Sequence, residues 1–271
     1  MSAAIPILMY HCVAEQPAAA AFRLSVSPQR FAAQLAVLHG HGFTTLTCSR
    51  LAALLRGEGG LPARPIVLSF DDGYADFHRE ALPVLLRYGC TATLFVTTGW
   101  VADAAEHAAG RPPERMLSWR HIGEVAAAGV EIAAHGHSHA QLDQLAPAAL
   151  QRDLHISKTL LEDRLGREVT GLAYPYGYHS ARVRAAARAA GYRYAAAVSN
   201  ALASPRADLF ALPRLTIQRA TSMATFQRII NKQGIARIFL ADRLLTSGWA
   251  AVRHARFAVS RVRGYGVGGH G

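Results

Sequence analysis

Two adjacent carboxylates and two histidines four residues apart are the residue types in this chain that could hold a metal ion and move a proton beside it. Asp71 and Asp72 follow the apolar run Pro65 to Phe70 and precede Gly73. Side chains alternate along a strand, so the two carboxylates cannot point the same way while the extended geometry continues. That division suits two roles, one carboxylate binding a metal and the other poised as a base. Asp-Asp-Gly is also ordinary turn chemistry, but here it lies between a strand and a helix. His135 and His139 face the same way if they share a helical turn. Gly136 weakens that helix, so a loop turning into a helix is an equal alternative, and His137 is expected to point away. Two histidines and one carboxylate leave coordination positions open for water or substrate, as catalytic metal sites do, and suit Zn²⁺ or Fe²⁺ among other ions. Such an ion polarises a carbonyl and acidifies water, a carboxylate can take the proton, and the oxyanion needs a donor. The turn Tyr174-Pro175-Tyr176-Gly177 could offer the Tyr176 N–H, although Pro-Tyr-Gly is also a common turn.

These residues must be positioned by the elements around them. Pro65 to Phe70 reads as a buried strand running into Asp71. Val130 to Ala133 reads as another running into His135, and Leu172 to Tyr174 as a third running into Pro175. Helices are expected from Ser27-Pro28 to Gly40, over Asp76 to Tyr88, from Trp119 to Ala128, over Pro147 to Gly166 and over Ser180 to Ala190. Strand, loop and helix alternate, which predicts a parallel α/β sheet, closed or nearly closed, with its chemistry at the C-terminal strand ends. All three polar clusters fall there.

Composition narrows the class. In 271 residues the chain has 51% hydrophobic and 17% charged residues, enough apolar material for a core and too much for a disordered chain. No apolar run of about 18 residues suggests a membrane span. Met1 to Ile7 has no basic leader, so a signal peptide is not expected and a cytoplasmic protein is. Cys12, Cys48 and Cys90 are too scattered for a disulfide framework or a Cys-x-x-Cys zinc site. Of the net charge of +11, residues 214–271 carry +9, with Asp242 their single acid. That asymmetry suggests an anionic partner for the tail and argues against a nucleic-acid-binding body.

Three segments resemble motifs of the polysaccharide deacetylase family, carbohydrate esterase family four. They are Leu68-Ser69-Phe70-Asp71-Asp72-Gly73-Tyr74, Ile132-Ala133-Ala134-His135-Gly136-His137-Ser138-His139 and Ala173-Tyr174-Pro175-Tyr176-Gly177. Leu8-Met9-Tyr10-His11 and the stretch from Ser27-Pro28 to Gly42-Phe43 are similar to the branch acting on bacterial exopolysaccharides. The resemblance implies a distorted (β/α)7-type barrel, placed over residues 1–220, and the charge and apolar pattern beyond it suggest a basic helical extension over 221–271. It implies metal-dependent hydrolysis of N- or O-acetyl groups on sugars, with Asp72, His135 and His139 holding the ion. Zn²⁺ is the family's usual assignment, with Co²⁺, Mn²⁺ and Ni²⁺ as rivals. Asp71 would be the base and the Tyr176 backbone N–H the oxyanion donor.

Several residues depart from the family pattern. Gly136 stands where many members have Ser or Thr, and Ala173 where many have an Arg that orients the base. No Asp-rich fourth motif is visible, and the late Leu-x-His that supplies the acid is missing. In the exopolysaccharide branch an N-terminal His takes that place, which points to His11. Arg214 is expected to bind substrate or to orient Asp71, Pro175 to line the sugar site, and Trp119 to line it or, in the favoured alternative, to be a core residue. Phe226 to Phe257 interleaves apolar residues with Arg, suiting helices that dock on the barrel or lie on the inner face of a membrane. The expected partners are an acetylated glycan or lipid-linked sugar and no nucleic acid. Hydrolysis of a non-sugar linear amide and a non-catalytic glycan-binding role are the alternatives.

Overall fold

A computed structural model of the chain describes residues 4–242. The first strand, β1, is Ile7–Tyr10, and β2 (Cys12–Val13) and β3 (Ser25–Val26) form a small ribbon beyond it. Helix α1 (Pro28–Gly40) leads to β4 (Thr44–Leu46), α2 (Cys48–Leu55) and β5 (Pro65–Phe70). Then come α3 (Leu82–Arg87), β6 (Thr93–Val96), α4 (Trp119–Ala127), β7 (Glu131–Ala134), α5 (Pro147–Leu165), β8 (Gly171–Ala173), α6 (Ala181–Ala189) and β9 (Tyr194–Ala196). The described chain closes with β10 (Leu215–Thr216), α7 (Met223–Ile230) and α8 (Ile235–Ile238).

Local chemistry sets the helix starts. Ser27, Thr47, Ser118, Ser180 and Ser222 each cap a helix by accepting a hydrogen bond from the backbone N–H three residues on. Pro28 and Pro147 occupy first-turn positions, where their missing N–H costs nothing. The expected single helix over 76–88 is instead a π-type turn, Phe77–Ala81, followed by α3. Pro83 accounts for this, because its ring would clash with the Arg79 carbonyl in a regular helix and the wider turn relieves it.

The eight-stranded sheet is parallel and runs β10-β1-β5-β6-β7-β8-β9. One edge of β5 pairs with β1, and its other edge is shared. There β4 takes Pro65 to Val67, and β6 takes Ser69 and Phe70. Residues 212–216 carry the sheet round from β9 to β1, since Leu212 bridges to Ala196 and Leu215-Thr216 pairs with Leu8-Met9. This is the curled, distorted (β/α)7-type barrel that the motifs imply.

Alternation along the strands builds two cores. Leu8, Tyr10, Leu68, Phe70, Leu94, Val96, Ile132 and Leu172 face the helices. Ile7, Val67, Phe95, Ala133, Ala173 and Ala196 pack together in the barrel interior. Asp71 is in phase with Val67, and His135 with Ala133, so the interior face leads directly to the site.

The boundary expected at residue 220 is not an edge of the packing. Phe226, Ile229, Ile230 and Phe239 are buried in the same outer core as α1 and the sheet. A one-sided apolar helix is stabilised by covering such a face. Among the described residues no helix is long and apolar enough to cross a membrane. Residues 243–271, with most of the Arg-rich stretch and the membrane contact expected of it, lie outside the described residues. Phe226→Ala should destabilise the protein by about 3 kcal/mol in urea unfolding, the typical cost of emptying a buried aromatic site. A change below about 0.5 kcal/mol would mark 221–242 as a dispensable extension.

Candidate active site

The site forms where β1, β5, β6, β7 and β8 end. Asp71 continues β5, its N–H donating to the Tyr10 carbonyl at 3.0 Å. Continued extension would turn Asp72 toward the helices. Instead Asp72 adopts φ 76°, in the left-handed region, and both carboxylates line one cavity of about 470 Å³. The alternation argument therefore holds through Asp71 and fails at Asp72.

His135 to His139 is a loop and not a helical turn, so the helical alternative falls away. Gly136 (φ 71°) and His139 (φ 56°) both take left-handed conformations. The loop still brings the two rings together, with centroids 5.1 Å apart. His135 Nε2 lies 3.3 Å and His139 Nε2 3.1 Å from Asp72 Oδ1. One donor atom from each of the three residues lies within 4.8 Å of the others. His137 is not among them, and its Nδ1 meets Thr98 Oγ1 at 3.0 Å.

The donor set fits a cation. His135 Nδ1 lies 2.9 Å from the Ala173 carbonyl, which can only accept, so Nδ1 carries a proton, and in its neutral form His135 presents a bare Nε2. Asp72 Oδ1, buried and without a hydrogen-bond donor, is also an acceptor. Two acceptors facing each other in a buried pocket repel unless positive charge lies between them. The electrostatics agree. Burial pushes the His135 pKa down, but Asp71 and Asp72 outweigh it and hold it above its ordinary value. Burial likewise pushes Asp72 up, and the His135, His139 and His11 rings beside it overcome it, leaving Asp72 well below the usual carboxylate range.

Arg214 holds the other carboxylate. It is fully buried, and its Nη1 and Nη2 donate to Asp71 Oδ1 and Oδ2 at 2.5 and 2.7 Å. Its Nε donates to the Ala197 carbonyl at 3.2 Å. Burial pushes Asp71 up, but Arg214 and His135 leave it below the ordinary range. Arg214 does not line the cavity, so of its two expected roles the geometry matches orienting Asp71 and not contacting substrate. His11 follows β1, lines the cavity and has a buried Nδ1 without a partner. Burial lowers its pKa despite Asp72 and Asp71 nearby.

Tyr176 also lines the cavity, with φ 61° and a half-exposed ring set edge-on to His139 at 4.7 Å. Pro175 is buried beside the turn and does not line the cavity. Trp119 is not in the site either. It begins α4, its N–H donating to Asp103 Oδ1 at 2.9 Å, with the Arg164 guanidinium 5.3 Å from its ring centroid. Helix formation turns Trp119 toward the outer core, and the tryptophan in the cavity is Trp100, 4.4 Å from the His139 ring. Trp100 was missed because the end of β6 carries no charged cluster. The signal was Thr97-Thr98-Gly99-Trp100, a polar and glycine step directly after a buried strand.

A second grouping, His78, His121 and Glu124, is half-exposed on the helical shell. There His121 Nδ1 accepts the Ser118 N–H of a helix cap, and Arg120 already reaches both His121 and Glu124 at 3.5 Å. Within it His78 Nε2 already pairs with Glu124 Oε2 at 2.8 Å.

The polysaccharide deacetylase family model matches residues 58–195, just over half of the chain. YxkH of Bacillus subtilis (strain 168), whose name places it provisionally among polysaccharide deacetylases, is 29% identical over 224 residues, covering 83% of this chain and 75% of that protein. The poly-beta-1,6-N-acetyl-D-glucosamine N-deacetylase of Staphylococcus aureus (strain MSSA476) is 25% identical over 202 residues, covering 71% and 68%. The solved structure of the Streptococcus pyogenes deacetylase PplD in complex with acetate superposes with a TM-score of 0.76 at 25% identity, covering 85% of this chain and 99% of that one.

The Arg214–Asp71 pair generates a stability test. Arg214→Met should destabilise the protein by about 3–5 kcal/mol in chemical denaturation, because it strands a buried carboxylate. Adding Asp71→Asn to that variant should recover much of the loss. A cycle with no coupling would mean that the pair does not hold Asp71.

Proposed function

Since the chain belongs to the polysaccharide deacetylase family, we propose that it is a metal-dependent hydrolase that removes acetyl groups, N-acetyl above all, from a bacterial polysaccharide. The observation that carries this reading is the convergence of Asp72, His135 and His139 beside a second carboxylate that Arg214 fixes in place. Asp72, His135 and His139 would hold a divalent ion, Zn²⁺ first, which when bound supplies Lewis acidity to the acyl carbonyl and to water. The glycan substrate is supported by the family and by the named substrate of the S. aureus relative. Acetate bound to PplD is the product such a reaction would leave.

The chain's own groups then divide the work. Asp71 Oδ2, 3.9 Å from His135 Nε2, is the base that takes the proton of the attacking water. Arg214 keeps Asp71 ionised and stops it turning toward the metal ligands. The left-handed turn at Tyr176 presents a backbone N–H to the oxyanion. An amine leaves poorly unless it is protonated, and His11 is the donor for that step once it has taken up a proton itself, which the Asp72 and Asp71 charges favour and burial opposes. Trp100 and Tyr176 pack on His139 and keep bulk water from its ring. Arg214 also supplies, from the segment just before β10, a guanidinium for Asp71 that Ala173 cannot offer.

The test is acetate release from N- and O-acetylated oligosaccharides by chelator-stripped protein restored with Zn²⁺, Co²⁺, Mn²⁺ or Ni²⁺. Asp72→Ala should lose both metal and activity. Asp71→Asn should keep the metal and slow release by about 10²–10⁴-fold, the usual contribution of a general base. Release at the wild-type rate would remove Asp71 from that role. His11→Ala should slow N-acetyl substrates by about 10²-fold and O-acetyl esters by less. Equal losses on both would show that His11 does not protonate the leaving amine.

A further inference from the structure

We propose that Asp153, in the middle of α5, is a positioning residue that sets the metal affinity of the site by clamping the backbone between His135 and His139. This rests on the reading that Asp72, His135 and His139 hold a metal. The need for a clamp follows from the loop's conformation. A helical turn would hold residues 135 and 139 at a fixed spacing through its own hydrogen bonds. Here left-handed Gly136 and His139 interrupt any such turn, so each backbone group between them must find a partner elsewhere.

Those partners come from two sides. At the exit of β6, the Thr98 N–H donates to the Gly136 carbonyl at 3.3 Å and the Gly99 N–H to the His137 carbonyl at 2.9 Å. From α5, the Asp153 carboxylate takes the donors. The His137 N–H reaches Oδ1 at 2.8 Å, the Ser138 N–H reaches Oδ2 at 3.0 Å, and Ser138 Oγ–H reaches Oδ2 at 2.5 Å. One carboxylate therefore fixes two of the residues that separate the histidines, without touching either ring through these bonds.

Asp153 is out of place unless this is its task. It is 7% exposed on the buried face of α5, in register with Leu150, Leu154, Ser157 and Leu161. Among the described residues it forms no ion pair within 4 Å. Asp is a poor residue for a helix interior, and a buried carboxylate is costly unless hydrogen bonds satisfy it. The loop supplies three. Gly136 is matched to the arrangement, because a Cβ there would lie 2.9 Å from Asp153 Oδ1 at a φ of +71°. Glycine in place of Ser or Thr thus does not loosen the histidine motif but lets the carboxylate close against it.

The experiment compares the full chain with Asp153→Asn and Ser138→Ala. Zn²⁺ affinity is measured by chelator competition, Co²⁺ coordination by visible absorption, and folding by circular dichroism and thermal unfolding without metal. Asp153→Asn should remain folded, bind Zn²⁺ about 10–100-fold more weakly and shift the Co²⁺ bands, the range seen when outer-shell partners are lost. Its acetate release should return as Zn²⁺ is raised, which Asp72→Ala cannot do. Ser138→Ala removes one of the three bonds and strands no backbone group, so it should weaken Zn²⁺ by a few-fold even if Asp153→Asn does not fold. A folded Asp153→Asn with wild-type affinity and unchanged Co²⁺ bands overturns the proposal, as does a Ser138→Ala that binds like wild type when Asp153→Asn is unfolded. Wild type that binds no metal overturns the metal reading and this proposal together. Wild type that binds metal while the variants match it overturns this proposal alone.

Discussion

Consecutive carboxylates, both almost fully buried, cannot coexist unless each has positive charge or donors of its own. Asp71 and Asp72 are 3% and 4% exposed, and much of the architecture follows from satisfying them. Arg214 meets the first requirement with a two-pronged pair, a geometry that only a guanidinium offers. The second falls on Asp72 Oδ1, toward which two histidine nitrogens converge, an arrangement that a cation between them would satisfy. A barrel interior can hold this arrangement because its walls carry small residues. Ala133, Ala173 and Ala196 line it, leaving room for Phe95, Tyr194 and the Arg214 stem.

The same requirement explains why the barrel closes as it does. Arg214 sits in the short segment that changes partner, bonded on the Leu212 side to β9 and on the Leu215 side to β1. A regular strand there would direct alternate side chains inward over its whole length. The break at Pro213 and Arg214 instead lets one long side chain run beneath Asp71 while its Nε stays bonded to the Ala197 carbonyl. Asp72, His139 and Tyr176 make a parallel point. They are three of the six non-glycine residues with positive φ among the described residues, and each lies at a strand exit. Holding such conformations costs of order 1–3 kcal/mol each, so the surroundings must fix them firmly. Hydrogen bonds from the exit of β6 do part of this, with Thr97 N–H on the Asp72 carbonyl at 3.2 Å.

What the sequence made legible follows the same division. Strands and helices were readable because apolar periodicity and capping residues are local signals, as in Pro65 to Phe70 and Ser27-Pro28. The Asp and His clusters were readable because charged residues at the ends of buried runs are conspicuous. Conformation at those ends was not. The left-handed Asp72 depends on what Thr97 and Gly73 do. The loop leading into His139 depends on Asp153, which lies 16 residues beyond His137 and 15 beyond Ser138. Trp119 and Trp100 show the limit most plainly. Both are tryptophans in the connection from β6 to β7, and only the packing of α4 turns one outward while the exit of β6 turns the other in. Asp153 left a faint trace, an acid on the apolar face of a helix. That pattern signals a buried partner without saying which.

Arg214 could be foreseen only as an alternative, because nothing local ties it to a residue 143 positions earlier. Its placement bears on how the site could lose an arginine from β8 and keep its chemistry. Holding Asp71 takes a guanidinium on the inner face within its reach, and Arg214 supplies it from outside β8. Ala173 keeps the β8 position small, and its carbonyl is instead the acceptor that sets the His135 tautomer. The two functions are thus separated. Backbone at 173 bonds the His135 ring, and the side chain at 214 bonds Asp71. A barrel allows this exchange because its interior is one shared volume. What must be kept there is the position of a charge, not the strand that carries it.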